Sequence, residues 1–562
     1  MSKAQPGDEL VFLPLGGSGE IGMNLNAYGY GPPDTRKWII VDIGVTFGRE
    51  EMAPGVEIVL PDPQYLEEER DNIIAIVLTH AHEDHIGALA WLWPRLKAPV
   101  YATPFTAALV REKLRERGLL EKVPLTVIPL KGQLTLGPFE IDFVTLTHSI
   151  PEPNGLAIRT PLGLVWHTGD WKIDPDPLIG ETTDEAKLRA MAEEGVLAMV
   201  CDSTNVFVEG STGSEAEVRE RLTQVIARCT GRVAVTAFAS NVARVETALQ
   251  AARAVGRTPC LVGRSMHRIV AAAKGVGLLQ DAPETIDEEE AGGLAPEHVL
   301  YLCTGSQGEA RAALSRIARN EHRNVTLKEG DTVIFSSRVI PGNEVAIHQL
   351  YNQFLEKGVA LITADEEHFI HVSGHPARDE LRQMYAWARP KIAVPVHGER
   401  RHLLEHVRLA QELQIPEAIA PNNGDMIRLA PGPAKVIDEV PAGRLYVDGG
   451  VMIEAEDEAL RDRKRLGEEG AINVSFAIGG KKNGIVAGPN ISVRGLSMAD
   501  DEEFEIAIDD LERAAEAAFS KLNHSDRKDD DQVEAAVVRG VRKAAEKLFG
   551  KRPLVDVSVL RI

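Results

Sequence analysis

Nine residues at positions 79–87, THAHEDHIG, constrain this chain more than any other stretch. They place His80, His82, Asp84 and His85 directly behind the apolar run IIAIVL at 73–78. Such a run reads as a buried strand. Alternate side chains of an extended chain share a face, so His80 and His82 can address one point. Asp84 and His85 follow where the chain turns into the helix of IGALAWLWPRL, and address a second point a few ångströms away. Imidazole nitrogen and carboxylate oxygen together suit zinc or a similar divalent cation. In a surface loop that bound nothing, four such groups at the end of a buried strand would be an uncompensated electrostatic cost.

More ligand-type residues recur at strand ends. FEIDFVTLTHS runs to His148, GLVWHTGDWKID to Asp170, and GVLAMVCDST delivers Asp202. After a long interval FIHVSGHPARDEL carries His371, Ser373 and His375, and KIAVPVHGERRHLLEHV ends a short apolar strand at His397. A lone histidine in such a place is as a rule structural, but this succession reads as strand-end loops converging on one metal site. The interval itself, from residue 206, alternates helical and strand patterns and reads as an inserted α/β unit, with half of the site on either side. Two glycine-bearing turns lie in it, AFASN at 237–241 and TGSQGE at 304–309. Each either offers backbone N–H groups to a phosphate at a helix start or is only a tight turn, and spacing alone leaves both open.

Near the start, VFLPLGGSGEIGMN spells GxGxxG with Gly17, Gly19 and Gly22, and Asp42 follows at the spacing of a dinucleotide-binding fingerprint. That fold needs a helix immediately after the glycines. The sequence MNLNAYGYGPPDTRKWIIVDIG offers further glycines, a proline pair and strand-like alternation instead. Two antiparallel strands joined by a glycine turn are expected, with Asp42 at the end of WIIVDIG.

At 562 residues the chain is too long for one core and suggests two to four domains. The expected boundaries are a metal-binding domain over 1–205 and 344–440, an insertion over 206–343, a linker at 441–452 and a C-terminal domain over 453–562. That last part reads as strands INVSFAIG and GIVAGPNISV, helices over about 500–522 and 529–549, and a final strand LVDVSVLR. The opening MSKAQPGDEL has no signal-peptide core and no run approaches a membrane span, so the expected location is the cytoplasm, with no membrane partner. Cys201, Cys229, Cys260 and Cys303 form no CxxC pair and are expected to be reduced thiols. A formal net charge of −22 argues against broad adhesion to nucleic acid. A local cationic groove or bound metal ions can still meet a phosphate.

The order Asp42, HxHxDH at 80–85, His148, Asp170, Asp202, His371 and His397 resembles the metallo-β-lactamase fold carrying a β-CASP insertion. The words LGGSGEIGMN, TGSQGE, IPGNE, HVSGH and PVHGE are similar to those of the bacterial ribonuclease J family, over nearly the whole chain. Ala81 stands where related sequences usually have Gly, at a position that needs no side chain for metal binding. The resemblance implies an α/β fold: a metallo-β-lactamase αββα sandwich, an inserted α/β β-CASP domain and a small C-terminal α/β domain. It implies two zinc ions, with manganese or magnesium as substitutes. His80, His82 and His148 would hold one ion, Asp84, His85 and His397 the other, Asp170 would bridge them and Asp42 would orient ligands.

Substrate contacts are implied for His371, Val372, Ser373, Gly374 and His375, and in the insertion for Ser240, Asn241 and Arg244. For Arg244 a phosphate clamp and a pairing with a nearby acid are both open. Two proton routes are open as well: His371 as acid or phosphate donor tuned by Asp202, or Asp202 as proton donor with His375 as acceptor. The catalytic set is therefore Asp84, Asp202, His371 and His375. By resemblance the activity is a 5′-to-3′ exonuclease, preferring a 5′ monophosphate, and an endonuclease, acting on single-stranded RNA in maturation and decay. A homodimer or homotetramer, with partners in an RNA-decay complex, is implied too. A DNA-directed β-CASP nuclease and a scaffold subunit of a decay complex are the alternatives.

Overall fold

The structure, a computed structural model, describes residues 4–48, 53–480 and 483–562. Contacts divide the chain into two compact units, residues 1–46 with 59–444, and residues 47–58 with 445–562.

The first unit is built on two sheets packed face to face. One runs Lys435–Glu439, Asp425–Ala430, Glu9–Gly16, Leu25–Gly31, Lys37–Val41, Ile73–Val77, Val100–Ala102, Leu125–Val127 in spatial order. The other runs Gln133–Leu136, Phe139–Thr145, Asn154–Thr160, Gly163–His167, Val196–Asp202, Ile392–Val396, Glu417–Ala418. Phe12, Tyr28, Ile39, Val41 and Val77 of the first sheet meet Phe143, Leu156, Ile158, Val165, Val200 and Val394 of the second in one buried cluster. The far face of the second sheet is covered by helices Glu185–Glu194, Arg378–Ala388 and Arg400–Glu412, through Trp166, Met199, Leu188, Met384, Trp387 and Leu409. Central strands are therefore buried on both faces, which explains why they read as continuous apolar runs.

The glycine-rich start forms the expected hairpin, Glu9–Gly16 antiparallel to Leu25–Gly31. Gly17, Gly19 and Gly22 have φ of 84°, 87° and 89°, a backbone that only glycine adopts without strain. A dinucleotide turn is not what these glycines build.

The insertion carries its own five-stranded sheet in the order Thr258–Val262, Val299–Cys303, Val233–Thr236, Thr332–Phe335, Ala360–Thr363. Every neighbouring pair in it is parallel. This sheet extends past the expected boundary at 343, because helix Glu344–Leu355 packs Leu350 and Phe354 into its core and leads to the edge strand.

In the second unit strands Gly484–Arg494, Ala471–Gly479 and Leu554–Arg561 form one sheet under helices Asp501–Ser520 and Asp530–Phe549. Ile472, Val474, Phe476 and Ile478 alternate inward, against Leu511, Ala515 and Phe519 on one helix and Val533, Val537 and Val541 on the other. Those spacings are the periods of a strand and of a helix face. Within the stretch expected to be a linker, Arg444–Asp448 and Val451–Glu454 pair as a hairpin, with Asp448 opposite Val451. The DGG sequence at 448–450 closes it, as Gly-containing two-residue turns do. Among the described residues no helix is long and apolar enough to cross a membrane.

Candidate active site

Strand ladders bring the site together. Lys37–Val41 runs parallel to Ile73–Val77, so Asp42 and the 79–85 stretch leave the same sheet edge. In the second sheet Gly163–His167, Val196–Asp202 and Ile392–Val396 are parallel, and their carboxyl ends deliver Asp170, Asp202 and His397 to one edge. His82 and Asp84 flank Glu83 at the start of the short helix Glu83–Ile86.

Two clusters result, and a third group, Asp170, Asp202, His375 and His397, overlaps them among the described residues. In the first, His82 Nδ1 lies 3.1 Å from His80 Nε2 and 3.1 Å from His148 Nε2. Asp170 Oδ2 stands 3.9 Å from His80 Nε2 and 3.8 Å from His148 Nε2. In the second, Asp84 Oδ2 is 3.1 Å from His397 Nε2 and 3.7 Å from His85 Nε2, and Asp170 Oδ2 is 3.2 Å from His85 Nε2. Asp170 belongs to both.

Burial and the neighbouring imidazoles hold His80 and His148 well below their usual range, and burial pushes His82 down to about 4. The Nδ1 contacts of His80 to Thr79 Oγ1 and of His148 to Gly374 O leave their Nε2 atoms as acceptors facing His82 Nδ1, an arrangement that suits a cation among them. In the second cluster burial pulls His85 and His397 down, but Asp170, Asp84 and the other surrounding carboxylates outweigh it and hold both imidazoles above their usual value. That local excess of negative charge is what a dication neutralises. Sets of three histidines with a carboxylate, and of two histidines with two carboxylates, match borderline divalent cations, so the residues present fit two of them.

The groups behind the clusters are also fixed. Asp42 accepts from Thr79 N–H and Oγ1, each at 2.8 Å, and lies 2.7 Å from His85 Nδ1. Thr204 Oγ1 is 2.9 Å from His397 Nδ1, and Gly374 O is 2.5 Å from His148 Nδ1. Each such contact leaves the other ring nitrogen for the cluster. Asp42 and His397 have φ of 63° and 51°, left-handed backbone that non-glycine residues adopt at a cost and that gathers at functional sites. Thr79 and Thr204 were not anticipated. Only their places beside the HxHxDH run and Asp202 could have marked them.

Beside the clusters lies the HVSGH loop. His375 Nδ1 is 2.8 Å from Asp202 Oδ2, and its ring stacks on His397 at 5.5 Å. Asp202 also accepts from Thr204 N–H and Oγ1. The acid thus serves His375, and the expected tuning of His371 by Asp202 gives way. His371 stands instead against Arg244, 3.3 Å from Nη1 to Nδ1. Ser373 Oγ accepts from Asn205 at 2.8 Å. Val372 is buried beside Gly213.

Of the insertion candidates, Asn241 and Arg244 are buried and Ser240 is half-buried. Arg244 is fully buried and bidentate with Glu215, so of its two readings the ion pair is the one realised. Asn241 is buried too, and its Oδ1 caps helix Val242–Ala254 by accepting from Arg244 N–H. Ser240 is half-buried and its carbonyl accepts from Val242 N–H. In TGSQGE, buried Gln307 donates to Arg338 O and accepts from Ile340 N–H, each at 2.9 Å, so the turn braces the loop beyond Phe335. That loop exposes Arg338, whose charge reaches His371. A single arginine in SSRVIPGNE carried no signal in the sequence.

Family models match four segments: "Metallo-beta-lactamase superfamily" over 26–171, "Ribonuclease J, beta-CASP domain" over 230–354, "Zn-dependent metallo-hydrolase RNA specificity domain" over 362–421 and "Ribonuclease J C-terminal domain" over 458–562. The chain is 48% identical over 555 residues to the ribonuclease J of Sinorhizobium meliloti, spanning 99% of this chain and 98% of that one. It is 36% identical to the ribonuclease J of Corynebacterium glutamicum, over 99% of this chain and 76% of that one. A crystal structure of a protein of unknown function from Enterococcus faecalis shares the fold, with a TM-score of 0.50 at 15% identity over 75% of this chain and 100% of that one. With its sheets, its two clusters and these matches, the chain belongs to the ribonuclease J family, metal-dependent hydrolases of the metallo-β-lactamase superfamily with a β-CASP domain.

Proposed function

We propose that this ribonuclease J-family hydrolase, an enzyme acting on RNA, works with two zinc ions as a 5′-to-3′ exonuclease preferring a 5′ monophosphate and as an endonuclease, in cytoplasmic RNA maturation and decay. The observation that carries the reading is the pair of ligand clusters sharing Asp170 beside a loop of phosphate-type donors. His80, His82, His148 and Asp170 would hold one ion, and Asp84, His85, His397 and Asp170 the other. When bound, two such ions neutralise phosphate charge and lower the pKa of an attacking water.

The remaining work falls to the chain. Asp42, Thr204 and Gly374 O hold three ligand rings in register. Asp202 and Asp170 outweigh burial and raise His375 above its usual value, which favours a proton on the ring. His375 is placed to give that proton to a departing 3′-oxygen while Asp202 stabilises the cation left until then. Ser373 Oγ, which accepts from Asn205 and from His375 N–H, keeps its own proton to donate to a non-bridging oxygen. Arg338 supplies an exposed cation on the insertion side, suited to a backbone phosphate. Self-association as a dimer or tetramer and decay-complex partners belong to the same proposal.

The test is degradation of end-labelled single-stranded RNA carrying 5′-monophosphate, triphosphate or hydroxyl ends, beside DNA of the same sequence. Processive release from the monophosphate end, lost with chelator and restored by zinc, supports the reading. Preference for DNA moves the chain to a DNA-directed nuclease, and no cleavage of either leaves the scaffold reading.

A further inference from the structure

The guanidinium of Arg244 does more than pair with Glu215. Nε and Nη2 donate to that carboxylate at 3.0–3.1 Å. Nη1 turns the other way, 2.9 Å from Ser336 O, 2.8 Å from Ser336 Oγ, 3.4 Å from Ile370 O and 3.3 Å from His371 Nδ1. A guanidinium has donors only. Nη1 has two N–H groups for these four contacts, and when it donates to His371 the ring's Nδ1 accepts and the ring proton sits on Nε2. Ser336 Oγ donates to Ile370 O at 2.6 Å and fixes the backbone beside the ring.

The pair is anchored in turn. Glu215 N–H donates to Asp174 Oδ2 at 2.9 Å, and Asp174 also takes Lys172 Nζ at 2.8 Å and Ser214 Oγ at 2.6 Å. Lys172 lies two residues beyond Asp170. A continuous buried path thus joins the loop of the shared carboxylate to His371.

We propose that the Glu215–Arg244 pair is a positioning device that locks His371 as a neutral imidazole with its proton on Nε2, so that His371 donates a hydrogen bond to a phosphate oxygen and is not the acid for the leaving group. Burial together with the charges of Arg244, Arg338 and Lys172 opposes a second proton on the ring. The role assigned to His371 rests on the reading of the chain as a phosphodiester hydrolase.

Nitrogen-15 spectra of ring-labelled, metal-loaded protein at neutral pH read the tautomer, with the His371 signals assigned by their loss in His371→Gln. A bare Nδ1 and a protonated Nε2 are expected. An imidazolium or an Nδ1–H tautomer overturns the proposal. This readout needs no substrate, so absence of RNA cleavage would sink the functional reading while leaving the tautomer result standing.

Kinetics test the role. Removing Arg244 alone strands a buried carboxylate, so the informative variant is Glu215→Gln with Arg244→Gln, which removes both charges. It is expected to lower kcat on RNA about 10²-fold, the scale of one lost transition-state donor, with KM within about twofold. In a His371→Gln background it is expected to cost nothing further, because both changes remove one interaction. Additive losses, or kcat unchanged in a folded double variant, overturn it.

Discussion

Individual side chains make the sharpest claims. His80→Ala and His397→Ala each remove a proposed ligand from a different cluster, so each protein should bind less metal than wild type and lose RNA cleavage. Metal analysis of folded protein beside the labelled-RNA assay checks both, and either variant with full metal content and activity would refute the ligand assignment. Arg338→Ala should raise KM for RNA about tenfold, since a charge-assisted hydrogen bond contributes about 1.5–3 kcal/mol, with kcat little changed. The defect should shrink as salt rises, and a KM equal to wild type at low salt would exclude the contact. The HxHxDH run was legible because four ligand-type residues in six positions have no cheap structural explanation. Arg244 was not, because a phosphate clamp and a buried ion pair use the same residue, and only the position of Glu215 decides. Thr204 was invisible for a related reason, since threonine is commonplace and its contact with His397 spans 193 residues of sequence.

Elements position these groups, and glycine sets their closest approach. A Cβ on Gly374 would lie 2.8 Å from His148 Cε1 and 2.7 Å from Ser149 Oγ. Gly374→Ala should therefore displace a ligand ring and lower metal affinity about 10–100-fold, the usual cost of disturbing a ligand's support; titration with zinc under a competing chelator measures it. Wild-type affinity would mean that the loop yields more readily than the ring. Strands were legible wherever they were buried on both faces, as at 73–78, or alternated, as in Ile472, Val474 and Phe476. Helix Glu458–Glu469 escaped because it buries only Leu460 and leaves no apolar stripe to see. The edge strand Ala360–Thr363 escaped because its four residues are half-buried at best, and its membership depends on pairing with Thr332–Phe335.

Across the whole molecule, stability should depend on acid through histidines buried neutral. His167 lies 2.9 Å from Tyr28 Oη, and His406 lies between Ser203 Oγ and Tyr385 Oη at 2.9 and 3.0 Å. Burial pushes both down to about 4. Between that value and about 6.5 the unfolded chain binds more protons than the folded one, so stability rises with pH through this window and is lost as pH falls. Each group contributes about 3 kcal/mol across it. His406→Gln should flatten the slope of melting temperature against pH between about 4 and 6.5, and an unchanged slope would exclude that group. The two-part layout of the site has a consequence in time. His148 is steadied by Gly374, and Asp84 faces His397, so the first cluster lacks its support until residue 374 has been made and the second is incomplete until residue 397 has. A half-synthesised copy still on the ribosome is therefore harmless to the message that encodes it, and cutting begins only once translation of the chain is far advanced.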